Sequence, residues 1–174
     1  RILKKEITFK HKSKDITSKL GVLSDKKYPI PIYFLINDHL FDREDIYADQ
    51  NGNYPDNSLR AFVLSHAACE LEKVTRWKPD ILHAHDWMAA PTCGYLNAKQ
   101  EKINKPNPQG SLLTIHNLEH QGVFTHEDFL ESGLPLKYWS MDGFEHHGRL
   151  NLLKCGIQHA DKISTVCPTY AKEI

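Results

Sequence analysis

No stretch of this chain stays apolar for the roughly 18 residues that a membrane helix needs, so no bilayer-spanning segment is expected. Neither sign of charge is in surplus: 22 Lys and Arg stand against 22 Asp and Glu. Nucleic acid as a partner usually meets a basic excess, and its lack argues against one. The four cysteines, Cys69, Cys93, Cys155 and Cys167, form no C-x-x-C pair. A zinc site or disulfide framework is therefore not expected, whereas free thiols buried in a reducing compartment are. There is no internal repeat and no low-complexity tract. The first residue is Arg1, with no apolar signal region after it, so the expectation is an internal piece of a longer chain.

What is present suits one ordinary domain. The chain has 174 residues, 40% hydrophobic and 25% charged, enough to bury a core without staples. Residues 2–9 and 20–23 are strand candidates on either side of the polar stretch 10–19. Residues 30–36 (IPIYFLI) form a short, wholly apolar run that reads as a buried strand. The polar residues 37–58 read as one long loop, and a loop of that length tends to be functional. Leu59, Phe62, Val63, His66, Ala67, Leu71 and Val74 then recur at helical spacing, with Asn57 or Ser58 available as cap and Lys78-Pro79 as stop. From there short apolar strands (80–84, 111–115, 162–166) alternate with helices (88–100, and one marked by Leu150, Leu153, Ile157 and Ala160). A last helix opens near Pro168. That order predicts an α/β fold: a Rossmann-like, doubly wound parallel sheet with right-handed crossovers.

In such a sheet, ligands sit outside the carboxyl ends of the strands. Three polar junctions fall there: His83-Ala84-His85-Asp86-Trp87, His116-Asn117 and Cys167-Pro168-Thr169. A carboxylate, imidazoles, an amide and an indole together suit carbohydrate, which is held by hydrogen bonds to its hydroxyls and by rings against its apolar faces. Each residue also has a plainer reading. His83 points back into the sheet as a core histidine, and His85 hydrogen-bonds a neighbouring loop. Asp86 caps the helix at 88–100, and Asn117 caps or turns the chain. Trp87 packs, Tyr54 is an exposed loop aromatic, and His146-His147 is a solvated pair. His83 and His85 also form an H-x-H, which raises a metal-dependent hydrolase as a rival, on a weak signal.

Three longer segments carry a resemblance. Pro79-Asp80-Ile81-Leu82-His83-Ala84-His85-Asp86-Trp87 resembles the P-D-x-x-H-A-H-D-W segment of bacterial glycogen synthases and plant starch synthases. Thr114-Ile115-His116-Asn117-Leu118, followed by Gln121-Gly122-Val123-Phe124, is similar to their T-x-H-N-L-x-x-Q-G-x-F. Leu153-Lys154-Cys155-Gly156-Ile157, Ala160-Asp161 and residues 166–174 (VCPTYAKEI) are similar to L-K-x-G-I, A-D and V-S-P-T-Y-A-x-E-I. Tyr54-Pro55-Asp56-Asn57 resembles a Y-x-D-N stretch. The likeness covers about residues 30–174, and the first 29 match poorly.

The family, glycosyltransferase family 5, has two Rossmann-like domains facing across a cleft, the arrangement called GT-B. The resemblance implies retaining transfer of glucose from ADP-glucose, or UDP-glucose, to the non-reducing end of an α-1,4-glucan such as glycogen or starch, without a cofactor or metal. It implies that His116 meets the donor glucose at the reaction centre and that Asp86 lies near the reacting sugars. Tyr54 would offer a sugar-binding ring, with Asn117, Gln121, Trp87 and His85 on the same wall. A cytoplasmic home follows for a bacterial protein and a plastid one for a plant protein. The sequence departs from the pattern where Met88 and Cys167 replace the family's frequent His and Ser. The K-x-G-G-L donor loop is absent, as is the E-x7-E segment of the C-terminal domain. Residues 1–174 are therefore expected to be part of the N-terminal, acceptor-side domain, with the first βαβ unit and the C-terminal domain outside them. The rest of its own chain would be a partner. An open sheet edge and an inactive fragment are the corollaries. A non-catalytic glucan-binding protein of the same fold is the second rival.

Overall fold

In the computed structural model, which describes residues 1–11, 14–24, 29–103 and 109–174, the chain begins with an antiparallel sheet. β1 (Ile2–His11) pairs with β2 (Lys14–Leu23), and β3 (Ile32–Ile36) joins the other side of β2. The stretch 10–19, expected as a polar connection, is mostly strand. Its composition hides an alternation: Ile16, Ser18 and Leu20 turn inward while Asp15, Thr17 and Lys19 face water. Residues 12 and 13 lie outside the described ones. β3 corrects a second expectation. It is an edge strand with Ile32 and Phe34 exposed and Tyr33 and Leu35 half-buried. An apolar run does not require two covered faces when the strand sits at an antiparallel edge.

The expected long loop is in fact built. Asn37 caps α1 (Asp38–Phe41), accepting from the Leu40 N–H at 3.3 Å. β4 (Ala48–Asp49) and β5 (Gly52–Asn53) close a small hairpin. α2 (Asn57–Thr75) follows, and neither predicted cap works as one. The N-cap position is Asp56. Asn57 is buried and donates to the Tyr47 carbonyl at 2.8 Å, and Ser58 donates to Asp128 at 2.7 Å. α2 ends on Arg76 in the left-handed region (φ 62), ahead of Lys78-Pro79.

The second part is the parallel unit. β6 (Ile81–His85) leads into α3 (Asp86–Ala89) and α4 (Pro91–Ile103), then β7 (Gly110–Ile115). The predicted helix over 88–100 is thus divided. Pro91 opens α4, where its missing N–H leaves no bond unmade. β8 (Val123–Phe124), α5 (His126–Leu130), β9 (Glu145–His146) and β10 (Arg149–Asn151) form an excursion. His147 and Gly148, both with positive φ, make the tight turn between β9 and β10, so the histidine pair is solvated as expected. α6 (Leu152–His159), β11 (Lys162–Thr165) and α7 (Tyr170–Glu173) complete the chain. Leu150, predicted in the helix, belongs to β10. Asn151 caps α6 by accepting from Lys154 N–H at 2.9 Å.

β11, β7 and β6 lie side by side in that order, all parallel, so the predicted α/β, Rossmann-like class holds. α4 covers β6 and β7, α6 lies beside α4, and α2 is held between α4 and β1. Close approach needs small residues. A Cβ at Gly94 would sit 2.7 Å from Cys155 Sγ, and one at Gly156 would sit 2.7 Å from Ala90 Cβ. Leu113, Leu153 and Cys155 are fully buried between these layers. The opposite face of β6 presents Ile81, His83 and His85 to solvent. His83, read as a core histidine, is therefore on the open face.

Candidate active site

The carboxyl ends of β6 and β7 converge on Asp86. Its backbone has φ 57, a region that L-residues avoid and that Asp tolerates better than most. The helix-cap reading fails, because the N-cap position of α3 is His85 and no side-chain cap bond forms. The carboxylate instead crosses to the next strand end. It accepts the backbone N–H of His116 at 2.7 Å and of Asn117 at 3.4 Å. One acid thus fixes the loop after β7 to the loop after β6.

The imidazoles follow. His85 Nδ1 lies 3.0 Å from His116 Nε2. His83 Nε2 lies 2.7 Å from Thr114 Oγ1, which is 2.7 Å from Ser164 Oγ, so a polar ladder runs across all three parallel strands. The His83 and His85 rings are 4.1 Å apart between centroids, tilted by 36°. Partial burial, then the neighbouring His83 and His116, push the His85 pKa below its ordinary value. The H-x-H pair of the hydrolase rival is thus engaged with Thr114 and His116. Among the described residues, no group of three or more His, Cys, Asp or Glu gathers as a metal set would.

The other predicted residues are placed unevenly. Asn117 closes an Asx turn, its Oδ1 accepting from Glu119 N–H at 2.9 Å. Gln121 Oε1 accepts from Asn151 at 2.7 Å, and the carbonyls of Gln121 and Gly122 take the N–H groups of Leu153 and Leu152 at 3.0 Å each. That segment therefore docks on the start of α6. Trp87 is buried, packed against Tyr47 and Phe124. Tyr54 is not an exposed ring. It is 7% exposed, with the guanidinium groups of Arg43 and Arg60 over it at 4.9 and 5.4 Å, and its N–H donates to Tyr47. The exposed ring is Tyr47, on the wall of a cavity of about 490 Å³ with Asn53, Trp87, His120, Gln121 and Phe124. Sequence reasoning missed Tyr47, Thr114 and Ser164, and it missed Tyr170, whose hydroxyl accepts from Leu118 N–H at 2.8 Å. Thr114 alone carried a signal, as a polar residue inside an apolar strand.

Comparison with known proteins decides the family. The starch synthase catalytic domain model matches residues 2–174. The chain belongs to that family. The match takes in the first 29 residues, which fit the quoted motifs poorly. A glycogen synthase of Roseobacter denitrificans is 43% identical over 140 residues, covering 78% of this chain and 28% of the relative. One from Geotalea uraniireducens is 37% identical over 145 residues, 83% and 30% respectively. The chain thus spans about 30% of the length of these curated relatives. Among solved structures, the catalytic domain of starch synthase IV from Arabidopsis thaliana, bound to ADP and acarbose, matches with a TM-score of 0.79 at 26% identity. It covers 99% of this chain and 35% of that one. Membership in the starch synthase family agrees with the Rossmann-like sheet seen here and does not favour the hydrolase rival.

Proposed function

We propose that this chain is the acceptor-side part of a glycogen or starch synthase, transferring glucose with retention from ADP-glucose to the non-reducing end of an α-1,4-glucan. UDP-glucose is the alternative donor. No cofactor enters the reaction, and the nucleotide site is completed by the rest of the protein. One observation carries the reading: His116 and Asp86 meet at the carboxyl ends of β6 and β7, beside a cavity walled by Tyr47, Trp87 and Phe124. The cavity offers a ring and several amides to a glucan chain, the combination that sugars bind. His116, exposed and held by its backbone, is placed to hydrogen-bond a hydroxyl of the transferred glucose. Asp86 fixes its position. Tyr54 supports the Tyr47 loop from below, and Asn117, Gln121 and His85 shape the same wall. Groups from both domains are needed for charge stabilisation in the transition state, so the 174 residues alone bind glucan weakly and do not turn over.

The test is the initial rate of transfer from ADP-glucose to saturating glycogen by the full-length enzyme. His116→Ala is expected to lower kcat/KM by about 100-fold or more, since small misplacements at a reacting centre have effects of that order. Its melting temperature stays within a few degrees of wild type. Near-normal rates, or an unfolded variant, make His116 structural and remove the proposal's main support.

A further inference from the structure

We propose that His85 is a positioning residue, holding the His116 imidazole by its Nε2 so that His116 meets a ligand through Nδ1. The inference deepens the proposed role of His116 and rests on that reading for its functional meaning.

The geometry supplies the argument. His85 Nδ1 and His116 Nε2 are 3.0 Å apart, a hydrogen-bond distance for two ring nitrogens sharing one hydrogen. A neutral imidazole has one donor and one acceptor nitrogen, so committing Nε2 of His116 leaves Nδ1 as its remaining ring atom. An exposed bond between two mobile rings contributes little, because ordering the rings opposes it. Here both rings are held independently. His116 is fixed through its backbone by the Asp86 carboxylate at 2.7 Å. His85 lies against the ring of His83, and His83 is anchored through Thr114 to Ser164. Three strands therefore set the plane of His85 before it touches His116. Its depressed pKa keeps a lone pair on the ring at neutral pH. The bond then selects a tautomer for His116, as the partner of one ring nitrogen does for any histidine.

The experiment is nitrogen NMR on the full-length protein labelled with ¹⁵N-histidine at neutral pH. A scalar coupling across the hydrogen bond, between His85 Nδ1 and His116 Nε2, is expected in the wild type. It is lost in His85→Phe, whose ring still lies on His83, and the His116 ring nitrogens then move to the averaged shifts of a free tautomeric mixture. His85→Asn, which keeps a polar atom near the place of Nδ1, retains a single His116 tautomer. Absence of the coupling in the wild type, with His116 shifts unchanged in His85→Phe, overturns the proposal. If the Phe variant fails to fold, the wild-type coupling and the Asn variant still decide. No sugar is needed, so failure here leaves the transfer reading standing, while failure of the His116→Ala rate test leaves the ring pairing standing.

Discussion

The Asp86 carboxylate holds the backbone N–H of His116 at 2.7 Å, although the two residues are 30 positions apart and belong to different strand ends. The acid therefore acts on the neighbouring loop and leaves its own helix uncapped. Asp86→Ala removes a charge-assisted hydrogen bond and places a β-carbon residue with no compensating group at positive φ. A loss of about 2 kcal/mol is expected in urea unfolding. Asp86→Asn keeps a carbonyl oxygen and suits the same backbone, so it stays folded with a smaller loss. On the proposed function, the Asn variant of the full-length protein nonetheless turns over more slowly, because the anion at the proposed sugar site is gone. An Ala variant as stable as wild type contradicts the clamp.

Gly122 lies under the Trp87 indole with φ +64, and a Cβ there would overlap the indole's six-membered ring. Gly122→Ala combines backbone strain with overpacking, and about 2–3 kcal/mol of destabilisation follows. The indole has to yield, so tryptophan emission shifts to the red in the folded variant. Unchanged emission and stability contradict the contact.

Burial pushes the thiols of Cys69 and Cys93 up, to about 12 and about 11, and raises that of Cys155 well above its ordinary value. Cys167 is exposed, which corrects the expectation that all four thiols are buried. A thiol reagent at pH 8 should titrate one group quickly in the native chain and four after unfolding. Two or more fast groups would show that the layer of α2, α4 and α6 opens readily.

Three histidines, His66, His85 and His159, have pKa values depressed chiefly by burial. Between the unfolded value near 6.5 and these lower folded values, the unfolded chain binds more protons. Stability therefore rises with pH through that window and is lost as pH falls below about 6.5. Melting curves from pH 7.5 to 5 should record it. His66→Phe, which keeps a ring against Phe9 and Tyr95, should flatten the slope. An equal slope in that variant removes His66 from the account.

The parallel strands and the strand-end residues were legible because β6 and β7 are short, largely apolar runs in alternation with helices, and their polar ends follow a general rule of the fold. What was not legible depended on partners distant in sequence. Tyr54 reads as exposed until Arg43 and Arg60 fold over it, and Tyr47 takes the position at the cavity. The strand character of residues 14–19 is masked by Lys14, Asp15, Thr17 and Lys19, whose side chains are exposed. The helix at 88–100 reads as one piece because periodicity does not register a first-turn proline. His83 reads as buried because apolar flanks imply two covered faces, whereas the helices cover the other one.

The ladder through Thr114 joins residues 31 positions before it and 50 after it. Contacts that far apart make assembly slow, since long loops must close before any pairing is rewarded. The β1–β2 hairpin, by contrast, can close within microseconds. On a ribosome adding roughly 5–20 residues per second, β11 follows β7 by about 3–10 s. For that interval the free side of β7 is unpaired and Ser164 has yet to arrive, so the crevice takes shape only after β11 emerges. Misfolding is then most probable at β7, and a chaperone that shields one strand edge for seconds is what this topology calls for.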